Sequence, residues 1–174
     1  MRFRCAGTEA TRGASGVLSQ VLAGRGLVLS LIGPLGAGKT VFVKGLAEGL
    51  GIDPTSVSSP TFVIANQYES PAGTRLAHVD LYRLKTPSEL DDVGFLDMLE
   101  PGAVVAVEWG DRLPGALPRD RLEVHVERDA GMGESRTFAV SATGRGSQQV
   151  LEAWETRLRD GVGPDSPGRP VEFL

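Results

Sequence analysis

The chain has 174 residues, 41% of them hydrophobic and 23% charged, with a formal net charge of −4 at pH 7. That composition gives one domain a sizeable core, which excludes a chain disordered throughout. No apolar run approaches the ~20 residues that cross a bilayer, residues 1–12 carry no signal-peptide core, and the acidic balance does not favour direct contact with nucleic acid. A cytoplasmic location is expected, with no membrane association. The single cysteine, Cys5, fits it, since one cysteine forms no internal disulfide.

Residues 8–22 have the pattern of a first helix, with Thr8 or Thr11 as its cap and Val17, Leu18, Val21 and Leu22 as its apolar stripe. The continuous apolar run 27–32 predicts a buried strand. A glycine-rich turn follows, then helical periodicity over 39–50 with Gly51 at the C-terminal cap. The β-rich runs 61–68 and 75–81 flank a turn containing Pro71 and Gly73, which predicts a hairpin. Residues 87–99 predict one or two short helices broken near Gly94. A second apolar strand spans 103–107 and leads into Glu108 and Trp109, and alternating strands are expected over 121–127 and 136–141. The last helix is expected over 147–159, with Val150, Leu151, Trp154 and Leu158 on one face. Residues 161–174 are rich in Gly and Pro and predict a flexible tail; the alternative is that Val171, Phe173 and Leu174 dock onto a surface.

The turn at 33–40 reads GPLGAGKT, which satisfies G-x-x-x-x-G-K-[ST] between a strand and a helix, the context that motif requires. Gly33, Gly36 and Gly38 let the backbone bend so that successive amides point at phosphate oxygens. The helix that follows adds its positive end. Lys39 can reach the β and γ phosphates, and the Thr40 hydroxyl can ligate Mg²⁺. By independent residue frequencies such a match arises by chance in roughly one chain in two hundred of this composition, so a nucleotide site is the reading adopted. The fold expected is α/β: a single-domain P-loop NTPase fold over 1–160, with a mixed parallel and antiparallel sheet flanked by helices.

Such a site needs a carboxylate beside the magnesium at the carboxyl end of a neighbouring strand, and Glu108 fits; its alternative is a strand-end glutamate facing solvent. Strand alternation puts His78, Asp80 and Tyr82 on one face and Ala77, Val79 and Leu81 on the other. The polar row can position an attacking water, or it can simply be a hydrogen-bonded face that stiffens the sheet. Thr61, after Ser59 and Pro60, can sense a γ-phosphate or open an ordinary strand. Arg83 can offset transition-state charge or form a surface ion pair, and Trp109 can face the nucleotide or the core.

The order GPLGAGKT, SPTF, HVDLYR and VEW, covering roughly 8–127, resembles the TsaE family, the small bacterial P-loop ATPases of the tRNA threonylcarbamoyladenosine pathway. The resemblance implies an ATPase with ATP and Mg²⁺ as cofactors. It would couple hydrolysis to resetting a threonylcarbamoyl-transferase complex of TsaB-like and TsaD-like proteins, and meet tRNA only indirectly. It assigns Gly33, Leu35, Gly36, Ala37, Gly38, Lys39, Thr40, Val41 and Thr61 to the ATP site, Thr40 and Glu108 to the metal, and Asp80 with Lys39 to catalysis. The loop departs from the family pattern at Pro34, where an acidic residue is usual; Pro34 keeps its carbonyl, so the loop is expected to work. Small-metabolite kinases and nucleotide-dependent binding switches are the competing functions. The GTPase type of switch lacks its N-K-x-D here, since residues 66–69 read NQYE.

Overall fold

The computed structural model describes residues 1–22, 24–131, 133–161 and 171–174. The elements in chain order are β1 (Arg2–Cys5), α1 (Thr8–Leu22), β2 (Leu27–Ile32), α2 (Lys39–Gly49), β3 (Ala65–Glu69), β4 (Arg75–Asp80), α3 (Pro87–Asp92), α4 (Phe95–Met98), β5 (Val104–Glu108), β6 (Leu122–Arg128), β7 (Arg136–Ala142), α5 (Arg145–Asp160) and β8 (Val171–Phe173). The strands form one sheet in the order β3-β4-β5-β2-β6-β7-β1-β8. β2 pairs in parallel with β5 and β6, and β4 in parallel with β5. The outer pairings, β3 with β4, β6 with β7, β7 with β1 and β1 with β8, are antiparallel. The sheet is therefore mixed, as the sequence implies.

Residue pattern decides which part of the sheet is covered. The parallel strand β5 (VVAVE) is buried along its length, because helices lie on both of its faces. β6 (LEVHVER) alternates instead: Leu122, Val124 and Val126 are buried, while His125 and Glu127 face solvent. One face of the sheet carries α1, α2 and α5 over a core that includes Leu29, Leu31, Phe42, Leu46, Phe138 and Trp154. The opposite face carries α3 and α4 over Ala77, Val79, Val105 and Val107, with Leu90, Phe95 and Met98 closing the layer.

α1 and α2 approach very closely. The buried face of α1 is Thr11, Ala14, Ser15, Leu18, Ser19 and Leu22, whereas the expected Val17 and Val21 are only half-buried. The serines face glycines: a Cβ at Gly45 would overlap Ser15 Oγ and the Arg12 carbonyl, and one at Gly49 would overlap Ser19 Oγ and the Gly16 carbonyl. Both serine hydroxyls are satisfied inside α1, Ser15 Oγ donating to Thr11 O at 3.0 Å and Ser19 Oγ to Gly16 O at 2.7 Å, so burying them leaves no orphan donor. α5 is tied to the same pair by Trp154 Nε1, which donates to Ala14 O at 2.9 Å.

Several expectations change. β1 was not foreseen; it pairs with β7, and the segment 171–173, expected in a loose tail, pairs with β1 as β8. The rest of that tail, 162–170, lies outside the described residues. Neither Thr8 nor Thr11 caps α1: the first helical turn closes on Gly7, whose carbonyl accepts from both Thr11 N and Thr11 Oγ1 at 3.0 Å. The strand expected from residue 61 begins at Ala65. Pro60 O accepts from Val63 N and Ile64 N, and Ile64 sits at φ 71°, so residues 61–64 form a turn despite their β-prone composition. Replacing Gly45 with Ala is expected to destabilise the fold by about 1–3 kcal/mol through forced separation of the helices. Gly13→Ala, at an exposed α1 position with open space for a Cβ, is expected to stabilise by roughly 0.5–1 kcal/mol. Urea unfolding midpoints of the two variants check both signs.

Candidate nucleotide site

The site begins where β2 runs out. Gly33 adopts φ 155°, and a Cβ there would collide with the Val126 carbonyl of the adjacent β6, so only glycine lets the chain turn away from the sheet at this point. Gly36 (φ 74°) and Gly38 (φ 109°) take left-handed conformations that complete the loop. Ala37 N donates to Pro34 O at 3.1 Å inside the loop, and Phe42 N to Gly38 O at 3.0 Å starts α2. Gly38 supplies no side-chain cap, which leaves the first-turn amides of α2 available to an anion at the loop.

Lys39 folds back over this loop. Its Nζ donates to Gly33 O at 2.7 Å and Pro34 O at 3.0 Å, and lies 3.8 Å from the centroid of the Trp109 ring. Burial pushes the ammonium below its ordinary value, while the carboxylates of Glu108, Asp80 and Asp111 act in the opposite sense. The Pro34 carbonyl thus accepts twice, from Ala37 N and from Lys39 Nζ.

The register of the parallel strands sets the acidic side. Asp80 pairs with Glu108, and Glu108 with Leu31, so three strands end level beneath the glycine loop. Glu108 is buried, not solvent-facing, and its Oε1 accepts from Thr40 Oγ1 at 2.7 Å and from His78 Nε2 at 2.9 Å. Asp80 is buried as well. Its Oδ2 accepts from Thr61 Oγ1 at 2.6 Å and Ser59 Oγ at 3.3 Å, and its Oδ1 accepts from Tyr82 N at 2.8 Å. Two threonines, one from the first turn of α2 and one from the turn after Pro60, therefore clasp two carboxylates on neighbouring strands.

Of the residues singled out in the sequence, Gly33, Lys39, Thr40, Thr61, Asp80 and Glu108 converge here. Leu35 stands 85% exposed at the loop tip, Ala37 is buried within the loop, and Val41 is half-buried on the first turn of α2. His78 and Asp80 share a face as expected, but that face is buried, on the side of the sheet that carries α2. Tyr82 lies past the end of β4, exposed, with its ring 5.0 Å from that of Trp109. Arg83 lies 5.8 Å from the Phe62 ring. Sequence reasoning missed Arg136, whose Nε donates to Ala37 O at 2.8 Å and braces the loop from β7; no local pattern joins two residues so far apart in the chain. Ser59 was also not singled out, although it sits beside Thr61 in the SPTF run.

The family model for "Threonylcarbamoyl adenosine biosynthesis protein TsaE" matches residues 6–138. The chain belongs to the TsaE family. The tRNA threonylcarbamoyladenosine biosynthesis protein TsaE of Bacillus subtilis is 38% identical over 152 residues, covering 87% of this chain and 92% of its own. The Streptomyces coelicolor protein of the same name is 40% identical over 141 residues, covering 80% and 90% respectively. Among solved structures, the crystal structure of YdiB from Bacillus subtilis matches with a TM-score of 0.69 at 30% identity, covering 90% of this chain and 94% of that one. Family and loop together make this a P-loop nucleotide-binding protein of threonylcarbamoyladenosine biosynthesis. No helix among the described residues is long and apolar enough to cross a membrane. Gly33→Ala is expected to displace the loop and weaken nucleotide binding by at least about tenfold while the cooperative unfolding transition persists, since the clash is confined to one turn. Titration with a fluorescent nucleotide, beside a thermal melt, measures both.

Proposed function

We propose that this protein is a Mg²⁺-dependent ATPase that serves as the energy-coupling subunit of the tRNA threonylcarbamoyladenosine modification complex and resets it between cycles. The observation that carries the reading is the Thr40 hydroxyl on the Glu108 carboxylate, 2.7 Å apart at the mouth of a glycine loop that also holds Lys39. Both groups are hard oxygen donors of the kind Mg²⁺ prefers, so the residues present fit the ion. When bound, the ion would offset charge on the β and γ phosphates.

The chain's own residues supply the remainder. Loop amides at 36–40 and the start of α2 cradle phosphate oxygens, and Lys39 leaves its loop carbonyls to neutralise charge that develops on transfer. Asp80 is the group that orients the attacking water, being a buried carboxylate level with Glu108. Thr61, bonded to Asp80, links that carboxylate to the loop 59–64, so the state of the phosphate chain is communicated to that loop. Gly33, Leu35, Gly36, Ala37, Gly38 and Val41 complete the nucleotide seat. The partners are a TsaB-like and a TsaD-like protein, the setting is the cytoplasm, and tRNA is met through those partners, in line with a net charge of −4.

Two measurements test this reading. In a reconstituted modification reaction with the partner proteins, ATP and Mg²⁺, multiple turnover is expected with the wild type, and neither with Lys39→Ala nor with the chain omitted. Modification that proceeds equally without the chain would remove the coupling role. In hydrolysis assays, Asp80→Asn is expected to keep nucleotide affinity while turnover falls by about 10²- to 10⁴-fold, whereas Glu108→Ala raises the Mg²⁺ concentration needed for half-maximal rate. If Asp80→Asn loses binding instead, its role is structural.

A further inference from the structure

His78 is fully buried on β4, two residues before Asp80, and no catalytic or binding role accounts for it. Its Nε2 lies 2.9 Å from Glu108 Oε1. A carboxylate only accepts, so Nε2 carries the hydrogen. Nδ1 is buried with no hydrogen-bond partner among the described residues, which leaves Glu108 as the ring's one polar tie there. A leucine would fill this core position without orphaning a polar atom, so an imidazole kept here at that cost points to the bond it makes.

We propose that His78 is a positioning residue that holds the Glu108 carboxylate in the orientation required for the metal. The inference rests on the reading of Glu108 as the Mg²⁺ carboxylate. The register allows the contact: His78 is level with Ala106, whose methyl group leaves the imidazole a lateral path to Glu108 on the same face of β5. His78 and Thr40 both bond Oε1, one from the sheet and one from α2. Two donors on one oxygen fix the carboxylate's rotation, and among the described residues Oε2 receives no hydrogen bond. Oε2 is therefore the oxygen turned toward a ligand. β4 in this way supplies the site twice, through Asp80 directly and through His78 by way of its neighbour.

The test compares His78→Gln, His78→Asn and His78→Leu. A glutamine amide reaches the position of Nε2 and restores the donor; an asparagine amide reaches only the position of Nδ1; leucine restores neither. Mn²⁺ binding in the presence of a non-hydrolysable ATP analogue is followed by electron paramagnetic resonance, with nucleotide affinity in EDTA and thermal melts measured alongside. The expected result is Mn²⁺ affinity weaker by about 10- to 100-fold in the Asn and Leu variants and restored to within a few-fold by Gln, with nucleotide affinity in EDTA unchanged. A merely structural histidine would weaken both affinities together and would not separate Gln from Asn. Mn²⁺ binding at wild-type strength in Asn, or Gln no better than Asn, would overturn the proposal; that comparison stands even if the Leu variant fails to fold. If the wild type binds the nucleotide equally well with and without Mn²⁺, the metal reading of Glu108 falls, and this inference with it.

Discussion

The site depends on one constraint, the level parallel register of β4, β5 and β2. Asp80, Glu108 and Leu31 stand abreast, and the glycine loop leaves β2 directly after Ile32. Because strand side chains alternate, a slip of one residue in β4 or β5 would turn His78 and Asp80, or Glu108, into the layer of Ala77, Val79, Val105 and Val107 beneath α3 and α4. The displaced groups, two from β4 or one from β5, would then be buried without the partners that now serve them. The apolar runs on both faces thus do more than fill a core: their pattern permits a single register, and that register delivers two carboxylates to one edge.

At that edge the electrostatic arrangement is symmetrical in kind. Each carboxylate is level with the other and each accepts a threonine hydroxyl, one from the first turn of α2 and one from the turn after Pro60. Thr40 belongs to the helix that receives phosphate, and Thr61 to the turn that follows Pro60. The positive side is Lys39, held among carbonyls and an indole face, with its charge opposed by desolvation and favoured by Glu108, Asp80 and Asp111. Close opposite charges in a buried setting interact more strongly than on an open surface, and this lets a few groups govern a highly charged ligand.

Much of this was legible in the chain because it is local. The loop, its flanking strand and helix, the apolar strand that ends in Glu108, and the row His78, Asp80 follow from spacing within a few residues. What escaped is non-local or goes against propensity. β1 has four residues (RFRC), too few for alternation to stand out, and its pairing with β7 and β8 joins distant parts of the chain. Residues 61–64 (TFVI) favour a strand by composition, yet the Pro60 carbonyl captures two amides and makes a turn. The serines of α1 lie outside the apolar stripe expected from its sequence; they are buried because Gly45 and Gly49 lie opposite them on a different helix. The brace from Arg136 to Ala37 has the same character.

The glycine–serine interlock of α1 with α2 also bears on how the molecule can deform. With backbone nearly against side chain along two turns, and Trp154 of α5 bonded to Ala14, the three helices pack as one layer that carries the phosphate loop at its edge. The segment 59–64 is held quite differently, by hydroxyl–carboxylate bonds at Asp80, one backbone bond from Asp80 N to Ile64 O and one short turn, and it presents Phe62 at 87% and Val63 at 63% exposure. Tight packing and light attachment thus lie on opposite sides of the glycine loop: residues 59–64 can shift by exchanging a few hydrogen bonds, whereas α1, α2 and α5 can part only by pulling a packed interface open.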